Sequence, residues 1–166
     1  MVQTTEKFLY LCTSNYFKDK MGRILSIDYG KKRIGIAVTD ELQIIANGLT
    51  TIGVDEIFPF LKTYCQTENV ELFLVGEPKQ MNYTNSSACQ YIEPFVKKLQ
   101  KEFPNIPIKR TDERFTSKIA FQTMIDAGLN KKKRQDKALI DTISATIMLQ
   151  SYLESREYLL TKKEYI

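Results

Sequence analysis

The sequence predicts an α/β domain in which a mixed five-stranded sheet carries helices on both faces. Three observations lead there. Three β-rich runs follow one another before any helical pattern begins, helical and strand patterns then alternate, and 166 residues suffice for one domain but not for two ordinary ones. Apolar residues at 43% and charged residues at 27% are the balance of a globular chain.

Arg23 to Ile27 and Arg33 to Val38 are the first two strand-like runs, set around Asp28-Tyr29-Gly30-Lys31-Lys32, where Gly30 supplies the turn conformation a hairpin needs. Ile44 to Ile52 reads as a third strand, with Asn47-Gly48 marking a bulge or turn within it. Asp55 to Glu68 spaces Ile57, Phe58, Phe60, Leu61 and Tyr64 as a helix does, with Asp55 as its cap. Glu71 to Gly76, stopped by Gly76 and Pro78, suits a buried parallel strand. Residues 86 to 102 form a helix with Tyr91, Ile92, Phe95, Val96 and Leu99 on one side, and Ile106 to Thr111 is the fifth strand. Thr116 opens a helix that runs to Ala127 and closes at Gly128. Lys137 to Tyr152 is a closing helix whose apolar face is Leu139, Ile140, Ile143, Ile147, Leu149 and Tyr152.

Residues 1–20 lie outside this pattern as an N-terminal extension. Phe8 to Cys12 is apolar but too short for a signal sequence with a cleavage site, and Met21 stands directly before the first strand. The expectation is that Met21 is the natural start or that residues 1–20 are a poorly ordered extension, a short added strand or helix packed on the domain being the alternative. The domain is expected over 21–155, followed by a charged tail, 156–166, that frays.

No run approaches the roughly 20 apolar residues of a membrane span, so the chain is expected to stay in the aqueous phase, and the expected location is the cytoplasm. Cys12, Cys65 and Cys89 match no zinc or disulfide spacing and read as thiols of a reducing compartment, with Cys65 in the core. The absence of histidine excludes Ser-His-Asp and Cys-His catalysis, imidazole-based zinc sites and any histidine general base. Chemistry must rest on carboxylates, Lys, Tyr, Cys or metal.

Three segments bear acids at expected junctions. Asp28 ends the first strand, Asp112 and Glu113 follow the fifth, and Asp141 is the acid on an apolar helical face. Carboxylates converging at a strand end suit hard divalent cations held against phosphate oxygens, which points to metal-dependent phosphodiester hydrolysis. Structural alternatives exist for each: an Asx-turn for Asp28, a loop or cap role for Asp112 with Glu113 in solvent, and an ion pair with Lys137 for Asp141. The net charge of +4 says little alone, but Lys31, Lys32 and Arg33 follow the first acid, and Lys131, Lys132, Lys133 and Arg134 precede the helix of Asp141. Basic groups flanking acids suit a polyanion brought to a metal site, the alternative being a solvated charged loop.

Ile27-Asp28-Tyr29-Gly30-Lys31-Lys32-Arg33-Ile34-Gly35-Ile36-Ala37, Val75-Gly76-Glu77-Pro78, Asp112-Glu113-Arg114-Phe115-Thr116-Ser117 and Lys137 to Ala145, continuing through Leu149 to Leu153, resemble the YqgF (RuvX) family. These are RuvC-like nucleases of the RNase H superfamily, associated in bacteria with processing the 5′ end of pre-16S rRNA. The resemblance covers about Met21 to Glu154, with the motifs in order. It implies an RNase H-like fold, catalytic Asp28, Glu113 and Asp141, and Mg²⁺ or Mn²⁺ held by Asp28, Asp112, Glu113 and Asp141. One departure concerns Glu77, which stands where the family carries an apolar residue before Pro. In related RuvC resolvases an acid at the end of that strand is a metal ligand, so Glu77 is a candidate fourth carboxylate or exchange partner for Glu113, against a lineage-specific surface charge.

Phosphate contacts are expected from Lys31, Lys32, Arg33, Arg114 and Lys131 to Arg134, and the polar loop from Pro78 to Ser87 could reach sugar or base. The expected partner is RNA, as pre-rRNA or a ribosomal particle, with branched DNA as the alternative, and the protein is a monomer or weak homodimer. A Holliday junction resolvase-like DNase and a non-catalytic nucleic-acid binder are the competing functions. A phosphotransferase of the actin and sugar-kinase type is disfavoured, since it needs two such domains around its nucleotide.

Overall fold

The computed structural model describes residues 22–77, 89–112 and 116–163. Strands β1 (Arg23–Tyr29), β2 (Arg33–Thr39) and β3 (Ala46–Gly53) precede helix α1 (Ile57–Thr67), β4 (Val70–Glu77), α2 (Cys89–Glu102), β5 (Ile108–Asp112), α3 (Thr116–Asp126), α4 (Lys131–Arg134) and α5 (Lys137–Lys163). They form one five-stranded sheet of order β3-β2-β1-β4-β5. Antiparallel pairing joins β1 to β2 and β2 to β3; β1–β4 and β4–β5 are parallel, because each of these connections spans a helix.

Side-chain alternation along the strands builds two cores. On one face Leu25, Ile27, Ile34, Ile36, Phe73 and Val75 are buried against Ile57 and Leu61 of α1 and Ile92, Phe95 and Leu99 of α2. On the other, Ile24, Ala37 and Leu74 meet Ala145, Met148, Leu149 and Leu153 of α5. Tyr29 ends β1 by stacking on Phe95 with ring centroids 4.6 Å apart. The structure is thus the α/β mixed sheet with helices on both faces that the pattern predicts.

Several local expectations change. Ile44 and Ile45 are not strand residues: the Asp40 carboxylate accepts both of their N–H groups at 2.8 Å, tying them into the β2–β3 turn, so β3 starts at Ala46. The strand carries its irregularity at the expected place, with Ile36 opposite Thr50 and Ala37 opposite Gly48, which leaves Leu49 as the extra residue. Asp55 does not cap α1. It lies within a 3₁₀ turn, Val54–Glu56, where Glu56 reaches back to the Gly53 N–H at 2.8 Å. Gly30 keeps a negative φ; its lack of a side chain matters because a Cβ would lie 2.6 Å from the Arg33 carbonyl oxygen closing the hairpin. Tyr91 is 50% exposed, not on the buried side of α2. Cys65 is half-buried and packs against the first core.

The closing helix differs most. It runs to Lys163, and its fully buried stripe is Ser144, Ala145, Met148, Leu149 and Leu153. Leu139, Ile140, Ile143 and Ile147 are only partly buried. α5 is covered by the sheet on one side and by α3, through buried Ala120 and Met124, on another, so apolar residues spread around it and blur a single face. The basic run before it forms the short helix α4, capped by Asn130 Oδ1 accepting from the Lys133 N–H at 2.9 Å. Asp136 then caps α5, its Oδ1 accepting the Ala138 N–H at 3.0 Å.

Candidate active site

Asp28 occupies the penultimate position of β1, directly opposite Gly35 of β2. Its alternation partner Ile24 belongs to the α5 side of the sheet, as does Ala37, two residues beyond Gly35. Asp28 and Gly35 therefore face α5. There the helix comes so close that a Cβ on Gly35 would lie 2.1 Å from the Asp141 carbonyl oxygen and 3.1 Å from the Thr142 nitrogen. Glycine at this position lets the second turn of α5 rest on the strand. The consequence is to set Asp141 beside Asp28 although 113 residues separate them in sequence (141 − 28).

Threonines hold that contact in register. Thr51 Oγ1, on the β3 residue opposite Gly35, donates to the Ala138 carbonyl at 2.8 Å and lies 2.7 Å from Thr142 Oγ1. The first turn of α5 is thereby tied to β3 by side chains as well as by packing.

The two acids differ electrostatically. Burial first, and then the nearby charge of Asp141, push the Asp28 carboxyl up to about 7. Asp141 has its own counterion: Arg33 Nε donates to Asp141 Oδ2 at 2.9 Å, with both side chains half-buried. The ion partner of Asp141 is therefore a β2 arginine rather than Lys137, which the helical spacing suggested. Sequence spacing could not reveal this pair, since it closes over 108 residues.

Among the described residues no three acidic or cysteine side chains gather as a metal site. The structure brings together Asp28, Asp141 and Arg33. Glu113 and Arg114 lie outside the described residues, as does the loop from Pro78 to Ser87. Asp112 ends β5 in register with Glu77. Ile27 pairs with Val75, so the next step along both strands sets Asp28 level with Gly76, and Gly76 is in register with Thr111. Glu77 follows the alternation of Phe73 and Val75, which belong to the opposite core, and so lies on the other face of the sheet from Asp28.

The basic residues divide. Lys31 and Lys32 are exposed in the hairpin that follows Asp28, Lys31 Nζ lying 5.1 Å from the centroid of the Tyr91 ring. Lys131, Lys132 and Lys133 are exposed on α4, whereas Arg134 is half-buried.

The model of the RuvX family, described as Holliday junction resolvase, matches residues 22–155. A Phocaeicola vulgatus protein named "Putative pre-16S rRNA nuclease" is 58% identical over 139 residues, covering 84% of this chain and 100% of its own. A protein of the same name from Flavobacterium psychrophilum is 62% identical over 133 residues, covering 80% of this chain and 97% of its own. Among solved structures, T. thermophilus RuvC in complex with Holliday junction substrate shares the fold, with a TM-score of 0.50 at 15% identity, over 82% of this chain and 96% of that one.

Proposed function

The chain belongs to the RuvX family, and on that premise we propose that it is a divalent-cation-dependent nuclease that hydrolyses phosphodiester bonds of structured RNA in the cytoplasm, its substrate being the 5′ region of pre-16S rRNA. The observation that carries the catalytic part is the meeting of Asp28 and Asp141 at a strand end, where burial and mutual repulsion hold the Asp28 carboxyl at about 7. Two acids forced together at such a cost in ionisation suit a cation that neutralises them. The donor set, all carboxylate oxygen with no imidazole in the chain, fits Mg²⁺ or Mn²⁺.

Asp28 and Asp141 would hold the cation, with Glu113 as third ligand. Glu113 comes next in sequence after β5, whose Thr111 is level with Gly76 and so with Asp28. Glu77 lies on the other face of the sheet from Asp28 and stands outside this set. A cation held there supplies an activated water and charge stabilisation at the leaving oxygen. Lys31 and Lys32, exposed in the hairpin beyond Asp28, orient the phosphate backbone towards the acids, with Arg114 and the exposed α4 lysines as further phosphate contacts.

Cleavage of an RNA spanning the 5′ leader of 16S rRNA and of a four-way DNA junction, each with Mg²⁺ or Mn²⁺, tests the reading. RNA cleavage by the wild type and none by Asp28→Asn is the expected result. Equal cleavage by Asp28→Asn would overturn the assignment of the site, and preference for the junction would transfer the substrate to branched DNA, as the family description suggests.

A further inference from the structure

Arg33 stands between the two parts of the proposed machinery. Its strand, β2, leaves the hairpin that carries Lys31 and Lys32, so the residue begins where the basic hairpin ends. Yet its guanidinium turns inward, and Nε donates to Asp141 Oδ2 at 2.9 Å. The turn is possible because Arg33 and Gly35 share a strand face, and Gly35 lets the Asp141 turn of α5 settle on that face. One oxygen of a carboxylate proposed as a cation ligand is thus engaged by a positive side chain of the same chain.

We propose that Arg33 alternates between two partners: the Asp141 carboxylate when the acid pair holds no divalent cation, and a substrate phosphate once a cation has taken Asp141. This rests on the metal-dependent reading above. A divalent cation beside Asp141 competes with the guanidinium for Oδ2 and repels it by like charge. The pair is half-buried, so water weakens but does not erase that competition. Displaced by rotation about its side-chain bonds, the guanidinium reaches outward towards Lys31 and Lys32, where its paired donors fit the non-bridging oxygens of a phosphodiester. The exchange would couple metal occupancy to substrate grip, and linkage requires that each favour the other.

Two binding measurements on full-length protein test this without reading activity. Mn²⁺ affinity, followed by the loss of free-ion paramagnetic signal, should be about three- to tenfold tighter in Arg33→Gln than in wild type, because the internal competitor is gone. Arg33→Lys, which keeps a displaceable charge, should stay within about threefold of wild type and guards against a folding defect. A short RNA should then lose affinity in Arg33→Gln when Ca²⁺ is present but not in EDTA. Unchanged or weaker Mn²⁺ binding in Arg33→Gln would overturn the exchange and make the guanidinium a fixed support of Asp141. An RNA defect of the same size with and without Ca²⁺ would overturn it too. Absence of Mn²⁺ binding in the wild type and both variants would remove the metal-dependent reading itself, which separates that failure from the failure of the exchange.

Discussion

The carbonyl oxygen of Asp141 lies 2.1 Å from the position a Cβ would take on Gly35, so the helix that brings the second acid rests directly on backbone of the strand facing the first. A methyl group there cannot be absorbed by a flexible side chain, since its nearest neighbours are main-chain atoms. Gly35→Ala should destabilise the fold by about 1–3 kcal/mol through overpacking and move Asp141 away from Asp28. A urea titration checks the first effect. Stability falling by less than a few tenths of a kcal/mol would show that α5 shifts freely at this contact.

The raised Asp28 carboxyl makes the metal-free protein sensitive to pH. In the folded state it titrates near 7, and in the unfolded chain at about 3.9. Between these values the folded state holds a proton that the unfolded chain has released, so raising pH favours unfolding. The penalty should grow from about pH 4 to pH 7 and level off above, reaching at most about 4 kcal/mol. Denaturant midpoints in EDTA across this range, compared between wild type and Asp28→Asn, isolate the contribution. Parallel curves would show Asp28 to be as readily ionised in the fold as in the free chain.

The two acids should respond unequally when neutralised. At pH 8 without metal, Asp28→Asn removes an ionised group from a buried position next to Asp141 and should raise the melting temperature. Asp141→Asn relieves the same repulsion but deprives Arg33 of its ion partner, an offset of about 1 kcal/mol, so it should raise the melting temperature less than Asp28→Asn does. Thermal melts of the two variants measure the difference, and destabilisation of both by similar amounts would contradict the repulsion.

The lysines of α4 are exposed, and the helix leads within a few residues into the one carrying Asp141. Replacing Lys131, Lys132 and Lys133 together by Ala should weaken nucleic-acid binding and flatten the slope of log affinity against log salt by about two units or fewer. Filter binding between 50 mM and 200 mM salt is the measurement. An unchanged slope would make this run a solvated capping helix.

Much of the architecture was legible in residue order. The β-rich runs at Arg23–Ile27 and Arg33–Val38 needed only a short connection to pair antiparallel, and Glu71–Gly76 and Ile106–Thr111 came after helices long enough for parallel crossovers. Local periodicity carries this information because alternation and helical spacing act within a few residues. Element ends were less legible where a single side chain decides them, as Asp40 does by drawing Ile44 and Ile45 out of β3. The α5 stripe was misjudged because the helix packs against two neighbours, which local periodicity does not register.

The acids were visible as acids at junctions, and the basic runs as charge beside them. Their relation was not. Whether Asp141 would meet Lys137 on its own helix or Arg33 on a distant strand depends on how closely α5 approaches β2, and that distance is set by Gly35, whose contact partner is named nowhere in its neighbourhood. Likewise Asp28 is an ordinary aspartate by composition. Its shift to about 7 arises only when folding withdraws it from water and places a second carboxylate beside it, because desolvation and charge interaction act through space rather than along the chain.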